Sequence, residues 1–222
     1  MLKKLEKKIG YSFNDKGLLE QALTHRSSGS KNNERLEFLG DGILNFVIAA
    51  AIFKIKPKAP EGEMSRLRAH LVRKETLADV GRELDLGNYL RLGGGELKSG
   101  GFRRDSTIAD CVEAILGAIY LDNGYAASEK VILDLFKARL GDLPDLSDLK
   151  DPKTRLQEYL QSIGKPLPEY EIVDVSGKEH EQVFKVKCSS TASDEPSIGK
   201  ASSRKAAEQD AALLMLRVLQ KK

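Results

Sequence analysis

The segment Asn33-Glu34-Arg35-Leu36-Glu37-Phe38-Leu39-Gly40-Asp41 places three carboxylates at the head of an apolar run. In a helix, successive residues turn by about 100°, so Glu34, Glu37 and Asp41 (i, i+3, i+7) fall within roughly 60° of one another. Like charges at such spacings repel. Alone, the cluster has an ordinary explanation, because a helix dipole favours acids in the first turn and charged faces are usually solvated. Asp110 and Glu113 resist that explanation. They lie in the middle of a second apolar stretch, and the dipole fades within a turn. Half-buried carboxylates need a partner, commonly a cation. Ala114 and Gly117, on the same face, would let a neighbouring helix come close.

Together Glu37, Asp41, Asp110 and Glu113 offer hard oxygen ligands. The three histidines, His25, His70 and His180, lie outside both acidic stretches. An all-carboxylate site matches Mg²⁺, with Mn²⁺ as a substitute, better than zinc. The Glu-x-x-His pairs of a di-iron bundle are missing. An acidic metal cage in a chain of net charge +3 fits phosphodiester hydrolysis. The ions would offset the phosphate charge, activate a water and stabilise the leaving 3′ oxygen. Without them, so many acids would repel the substrate. Two other readings stay open: a non-catalytic RNA-binding protein with structural acids, and a DNA nuclease.

The elements that must position these groups are helical through the first two thirds. A short basic amphipathic segment is followed by a turn near Asn14-Asp15-Lys16-Gly17 and a helix through Leu18, Leu19, Ala22 and Leu23; Thr24 to Ser30 reads as a loop. Asn33 is a candidate N-cap for the acidic helix, with a core stripe of Leu36, Leu39, Ile43, Val47 and Ala50, and Pro57 and Pro60 end it. Helices are expected from Glu61, with Met64, Leu67, Leu71 and Val72 apolar, and over Glu75–Leu84. Residues 88–101 are glycine-rich and irregular; Gly93 to Ser99 is no phosphate loop, because Leu97 stands where glycine must precede Lys-Ser. Asp105 or Ser106 should cap the second acidic helix. It carries Ile108, Val112, Ile115 and Ile119 as its core stripe and ends at Gly124, before a further helix over Ala127–Leu140.

Residues 141–151 are acidic, contain Pro144, and read as a linker between a domain at 1–140 and another at 152–222. The periodicity then changes. A helix over Lys153–Ile163 precedes β-like runs at Tyr170–Val175, Gln182–Cys188 and Ser197–Ala201, the first two joined at Gly177-Lys178. A last helix, Arg204–Gln220, starts after Ser203. The expected fold is an all-α domain followed by a small α+β (α-β-β-β-α) domain. An apolar content of 41% over 222 residues suits a folded chain. The apolar run Gly42–Phe53 is too short to span a bilayer and no leader is expected. Two distant cysteines, Cys111 and Cys188, suggest a reducing, cytoplasmic setting.

The nine-residue segment Asn33–Asp41 closely resembles the signature of bacterial ribonuclease III. Asp110-Cys-Val-Glu113, within Asp105–Ala118, looks like that family's second catalytic segment. The resemblance implies that Glu37, Asp110 and Glu113 bind divalent metal and that Asp41 and Glu113 are the catalytic carboxylates, with Glu34 and Glu61 in support. It implies a homodimer, with Phe38 at the subunit contact. It further implies cleavage of double-stranded RNA that leaves a 5′ phosphate and a short 3′ overhang, in the processing of ribosomal, messenger and transfer RNA precursors. The tail, through Pro168-x-Tyr170, Gly177-x-x-His180, Phe184 and Ser203-Arg204-Lys205-x-Ala207, resembles a double-stranded-RNA-binding domain. By that resemblance Thr154, Gln157, Glu158 and His180 make minor-groove contacts, and Ser203, Arg204 and Lys205 form a phosphate clamp at a helix N-terminus. Ala201 departs from the pattern, since many members have glycine there.

Overall fold

The computed structural model describes residues 2–145, 149–177 and 182–220. The chain divides into two compact units, Met1–Pro144 and Asp145–Lys222.

The first unit is helical. α1 (Leu2–Ile9) and α2 (Lys16–Ala22) are joined by a turn in which Asp15 caps α2 by accepting from the Gly17 N–H. Glu6 is 5% exposed and accepts hydrogen bonds from the Phe13 N–H (2.8 Å) and the Lys16 ammonium (2.5 Å), which fold the turn back onto α1. The loop after α2 contains a 3-10 turn, Arg26–Ser28, and leads to α3 (Glu34–Ile55). α4 (Glu61–Val72), α5 (Lys74–Glu83) and the short α6 (Gly94–Lys98) precede α7 (Asp105–Gly141). α7 is broken at Asn123-Gly124, where Gly124 has φ +75°. That is the glycine at which the sequence reading ended one helix and started another; only a residue without Cβ takes that conformation cheaply.

α3 and α7 pack along each other, and two glycines set how closely. A Cβ on Gly40 would overlap the Glu113 carbonyl, and one on Gly117 would overlap the Leu36 carbonyl. Each glycine therefore receives the other helix's backbone. This crossing corrects the expected core stripe of α3. The buried positions are Leu36, Gly40, Leu44, Val47, Ile48 and Ile52, whereas Leu39, Ile43 and Ala50 are only half-buried. The stripe is rotated because α7 lies on the line Leu36–Gly40–Leu44, where the missing side chain leaves room. On α7 the expected Ile108, Val112, Ile115 and Ile119 are all buried.

Two cap expectations also change. Asn33 sits at the N-terminus of α3 with helical φ and ψ and no side-chain cap bond; Asn32 Oδ1 accepts from the Glu34 N–H instead, at 3.0 Å. Asp105 is the first residue of α7, and the capping position before it is Arg104, with no side-chain cap bond. α3 as a whole is 22 residues, longer than its uninterrupted apolar run, and by length and composition alone could cross a membrane. Its carboxylate-bearing start and its packing on α7 mark it instead as the central helix of the bundle. Phe38, Phe46 and Phe53 remain exposed on its other side.

The second unit is α-β-β-β-α. α8 (Pro152–Ser162) is capped by Asp151, β1 (Glu169–Ser176), β2 (Val183–Ser189) and β3 (Ser197–Ala201) form an antiparallel sheet in the order β1-β2-β3, and α9 (Arg204–Leu219) is capped by Ser203. The register pairs Tyr170 with Cys188 and Val186 with Gly199, with an irregularity between Ile172 and Asp174. Leu156 and Leu160 of α8, and Ala211, Ala212, Met215 and Leu216 of α9, form one core with Cys188. Gly199 lets α9 approach β3, since a Cβ there would strike the Ala207 and Ala211 backbone. Ala201 ends β3 opposite Phe184.

Candidate active site

The α3–α7 crossing assembles the acids. Glu37, on the first turn of α3, meets Asp110 and Glu113, one turn apart on α7; one oxygen of each lies within 4.8 Å of the others. All three are half-buried. Glu113 is pushed up to about 8, first by burial and then by the charges of Asp41, Glu37 and Asp110. Burial also raises Glu37, reinforced by Asp110, Glu34 and Asp41 against the opposing pull of Arg26. Asp110 is raised by burial even though His25, Arg26 and Lys74 favour its charged form. Groups that repel this strongly and share no ion-pair partner among the described residues are poised to take a cation.

The donor set fits a hard divalent ion. Three carboxylates from two rigid helices supply oxygen ligands, with no histidine or cysteine in the cluster. Asp41 lies one turn beyond Glu37 and is exposed. It accepts from Asn45 Nδ2 at 2.7 Å and is close enough to raise Glu113. Glu34 is exposed too, held by Asn32 Nδ2 at 3.2 Å and by Arg26 at 3.6 Å. Glu61 is not brought to the cluster. It opens α4, accepts from Ser65 Oγ, and lines a separate hollow of about 240 Å³ with Phe53 and Met64.

An open cleft of about 860 Å³ adjoins the cluster, bounded by Glu37 and Asp110 on one side and by the α2–α3 loop and Arg104 on the other. The loop wall is fixed to the segment before α6. Thr24 bridges Arg91, and Ser27 Oγ accepts from the Gly93 N–H at 3.0 Å. A Cβ on Gly93 would collide with the Ser27 carbonyl. Sequence reasoning assigned no role to Arg26 or Arg104; both are basic residues beside glycine-rich or serine-rich loops, and only the fold brings them to the acids.

In the second unit, Thr154, Gln157 and Glu158 lie exposed on one face of α8, although Glu158 is engaged by Lys150 at 2.6 Å. Ser203 accepts from the Ala206 N–H, and Arg204 and Lys205 are exposed at the start of α9. A network missed from sequence ties the two helix starts together. Glu208 accepts from Lys153 (2.6 Å) and Arg204 (2.9 Å), while Gln209 bonds both Asp151 and the Lys153 N–H. His180 lies outside the described residues.

A helical unit with a half-buried carboxylate cluster, followed by an α-β-β-β-α unit with basic residues at a helix start, defines a class of nucleic-acid enzyme. The sequence matches that class by name. Residues 15–140 match the Ribonuclease-III-like family, and residues 152–219 match the double-stranded RNA binding motif. A ribonuclease 3 of Vibrio campbellii is 57% identical over 209 residues, covering 94% of this chain and 93% of that protein. One from Glaesserella parasuis is 54% identical over 218 residues and 98% of each chain. The solved nuclease domain of ribonuclease III from Campylobacter jejuni superposes with a TM-score of 0.62 at 39% identity, covering 64% of this chain and all of that one. The chain belongs to the ribonuclease III family.

Proposed function

We propose that this protein is a divalent-metal-dependent endoribonuclease that cuts double-stranded RNA, and that Glu37, Asp110 and Glu113 hold the metal. The observation that carries the reading is the three-carboxylate cluster built by α3 and α7, with Glu113 raised to about 8 by its acidic neighbours. Mg²⁺ is the natural occupant, with Mn²⁺ as a substitute. When bound, the metal supplies charge neutralisation at the phosphodiester and Lewis-acid activation of water. The chain's own groups do the rest. Glu37 and Glu113 fix ligand positions from two helices locked by Gly40 and Gly117, and Asp41 stands within electrostatic reach as a second acid. Glu34, through Arg26, steadies the approach to Glu37.

The second unit delivers the duplex. Exposed Arg204 and Lys205 at the N-terminus of α9 combine side-chain charge with free backbone N–H groups, a ready phosphate clamp. Thr154, Gln157 and Glu158 face outward from α8 for minor-groove contact, which is sensitive to A-form shape and the 2′-OH; His180 belongs to the same expectation. Glu61 stands apart from the cluster at the start of α4 and is given no part in holding the metal. The homodimer is supported by the exposed Phe38, Phe46 and Phe53 on α3 and by a Campylobacter jejuni nuclease domain described for its region involved in dimer formation. The same reading expects products with a 5′ phosphate and a short 3′ overhang, from ribosomal and other structured precursors, and the likeness to ribonuclease 3 proteins supports it. Both cysteines are free and buried, in keeping with a reducing cytoplasm.

The test incubates the full chain with a labelled RNA duplex in Mg²⁺ or EDTA, beside a DNA duplex of the same sequence. Cleavage of RNA in Mg²⁺ alone is expected. Metal-independent binding without cleavage would favour a pure RNA-binding protein, and equal cutting of DNA would favour a DNA nuclease.

A further inference from the structure

Glu208 lies on the second turn of α9, four residues past Arg204, and its side chain is only 13% exposed. The dipole that favours acids at a helix start fades within the first turn, so it does not account for a carboxylate here. Phosphate binding by Arg204 and Lys205 does not account for it either, since a negative charge nearby opposes an anion. The hydrogen bonds supply a reason. Oε2 accepts from the Lys153 ammonium of α8 at 2.6 Å, and Oε1 accepts from Arg204 Nε at 2.9 Å. The bond from Lys153, and then that from Arg204, keep the carboxyl below its ordinary pKa against the effect of burial. Both oxygens are thus spent on cations, and the acid is turned inward.

Arg204 is attached by Nε alone. Its two Nη groups make no hydrogen bond among the described residues, and its side chain is 65% exposed. A guanidinium held in this way has an ordered stem and keeps free the Nη edge, which matches a phosphate. The anchor itself is fixed. Lys153 is held by Glu208 and by the Tyr170 ring, whose centroid is 4.3 Å from its ammonium. Gln209, next to Glu208, accepts from the Lys153 N–H at 3.1 Å and donates to Asp151 at 2.9 Å, which fastens α9 to the start of α8. We infer that Glu208 is a positioning residue for duplex binding: it holds Arg204 by Nε so that the Nη edge meets a phosphate of the RNA backbone. The rotamer freedom of a long side chain is then given up before RNA arrives. An acid therefore strengthens the binding of a polyanion. The inference rests on the RNA-binding reading of the second unit and deepens it by adding a residue that acts through the clamp.

The test measures the affinity of the full chain for an RNA duplex in EDTA, for the unaltered protein, Glu208→Ala, Arg204→Ala and the two changes together. By charge alone, removing an acid beside phosphates should tighten binding. The geometry predicts the reverse: Glu208→Ala should bind about 3- to 10-fold more weakly, the scale of ordering one long side chain at an interface. Because Glu208 acts through Arg204, the double variant should bind within about twofold of Arg204→Ala. In an Arg204→Lys background the sign should change. The single ammonium is then spent on Glu208, and Glu208→Ala should release it and tighten binding. Alanine suits a helix and Lys153 is free to turn to solvent, so the variants should fold, which thermal unfolding of the same preparations checks. Glu208→Gln, equal in size, serves where alanine disturbs the fold, with the same signs. Equal or tighter binding by folded Glu208→Ala, a loss of the same size whether or not Arg204 is present, or continued weakening in the lysine background would overturn the inference. Failure of the unaltered protein to bind the duplex would overturn the RNA-binding reading instead.

Discussion

Gly117→Ala tests the claim that the helix crossing sets the metal site. The new Cβ would fall against the Leu36 carbonyl, and restoring ordinary contact, which begins at 3.4 Å, requires α3 and α7 to part by about 1 Å. Glu37 rides on one helix, Asp110 and Glu113 on the other, and one carboxylate oxygen of each lies within 4.8 Å of the others. Mg²⁺ demands near-octahedral geometry at about 2.0–2.1 Å, so a displacement of about 1 Å far exceeds its tolerance. Misplacement by that much near a reacting centre can cost about 100-fold. The variant should therefore need on the order of 10- to 100-fold more Mg²⁺ for half-maximal cleavage, and overpacking should cost about 1–3 kcal/mol of stability. The assay titrates Mg²⁺ against cleavage of a fixed RNA duplex, with thermal unfolding and duplex binding in chelator measured on the same preparation. Duplex binding should change little, because residues 145–222 form their own unit. A folded variant with Mg²⁺ dependence and maximal rate within about twofold of the unaltered protein would refute the reasoning, since backbone contact at Gly117 would then not govern carboxylate spacing.

Three further outcomes are expected. Glu113 titrates near 8 in the folded, metal-free protein against 4.5 for an ordinary glutamate, so the native state binds more protons between those values. Stability in EDTA should then fall as pH rises from about 5 to 8, and Glu113→Gln should flatten that dependence in thermal scans. Burial opposes ionisation of Glu6, yet hydrogen bonds from Lys16 and the Phe13 N–H outweigh it and hold its pKa below 4.5. Its contribution is thus present above pH about 4.5 and lost as pH falls through the lowered value; Glu6→Ala should cost about 2 kcal/mol at pH 7, discounted because Lys16 is half exposed, and progressively less as pH falls through that lowered value. Removing residues 145–222 should weaken duplex binding and make its salt slope shallower, read by titration at several ionic strengths; an unchanged slope would deny Arg204 and Lys205 their phosphate role.

The acids were legible in the sequence because charge in an apolar helix is costly enough to demand an explanation. Periodicity alone isolated Asp110 and Glu113, and small residues beside them announced a close helix. What periodicity could not supply was the partner's angle. The expected α3 stripe through Leu39 and Ile43 assumed an even helix face, whereas the Gly40–Gly117 contact draws the buried line to Leu36, Gly40 and Leu44. Capping rules placed Asn33 at the right position with the wrong task, since Asn32 and Asn33 offer the same chemistry and only the backbone angles choose between them. Arg26 was illegible as a site residue, being set beside the acids by loop packing at Ser27 and Gly93 rather than by any local pattern, while Arg104, directly before α7, borders the cleft paired with Glu96. In the second unit, alternation located the strands within a residue or two. The tie from Glu208 to Lys153, over 50 residues apart in the chain, needed the fold.

The central claim is that the α3–α7 carboxylates are a metal centre for cutting double-stranded RNA. It is tested most directly by following binding and cleavage of one RNA duplex by Glu113→Gln in Mg²⁺. Binding within about threefold of the unaltered protein, with cleavage reduced on the order of 1,000-fold or more, is the result this site predicts. Cleavage at the unaltered rate would contradict it.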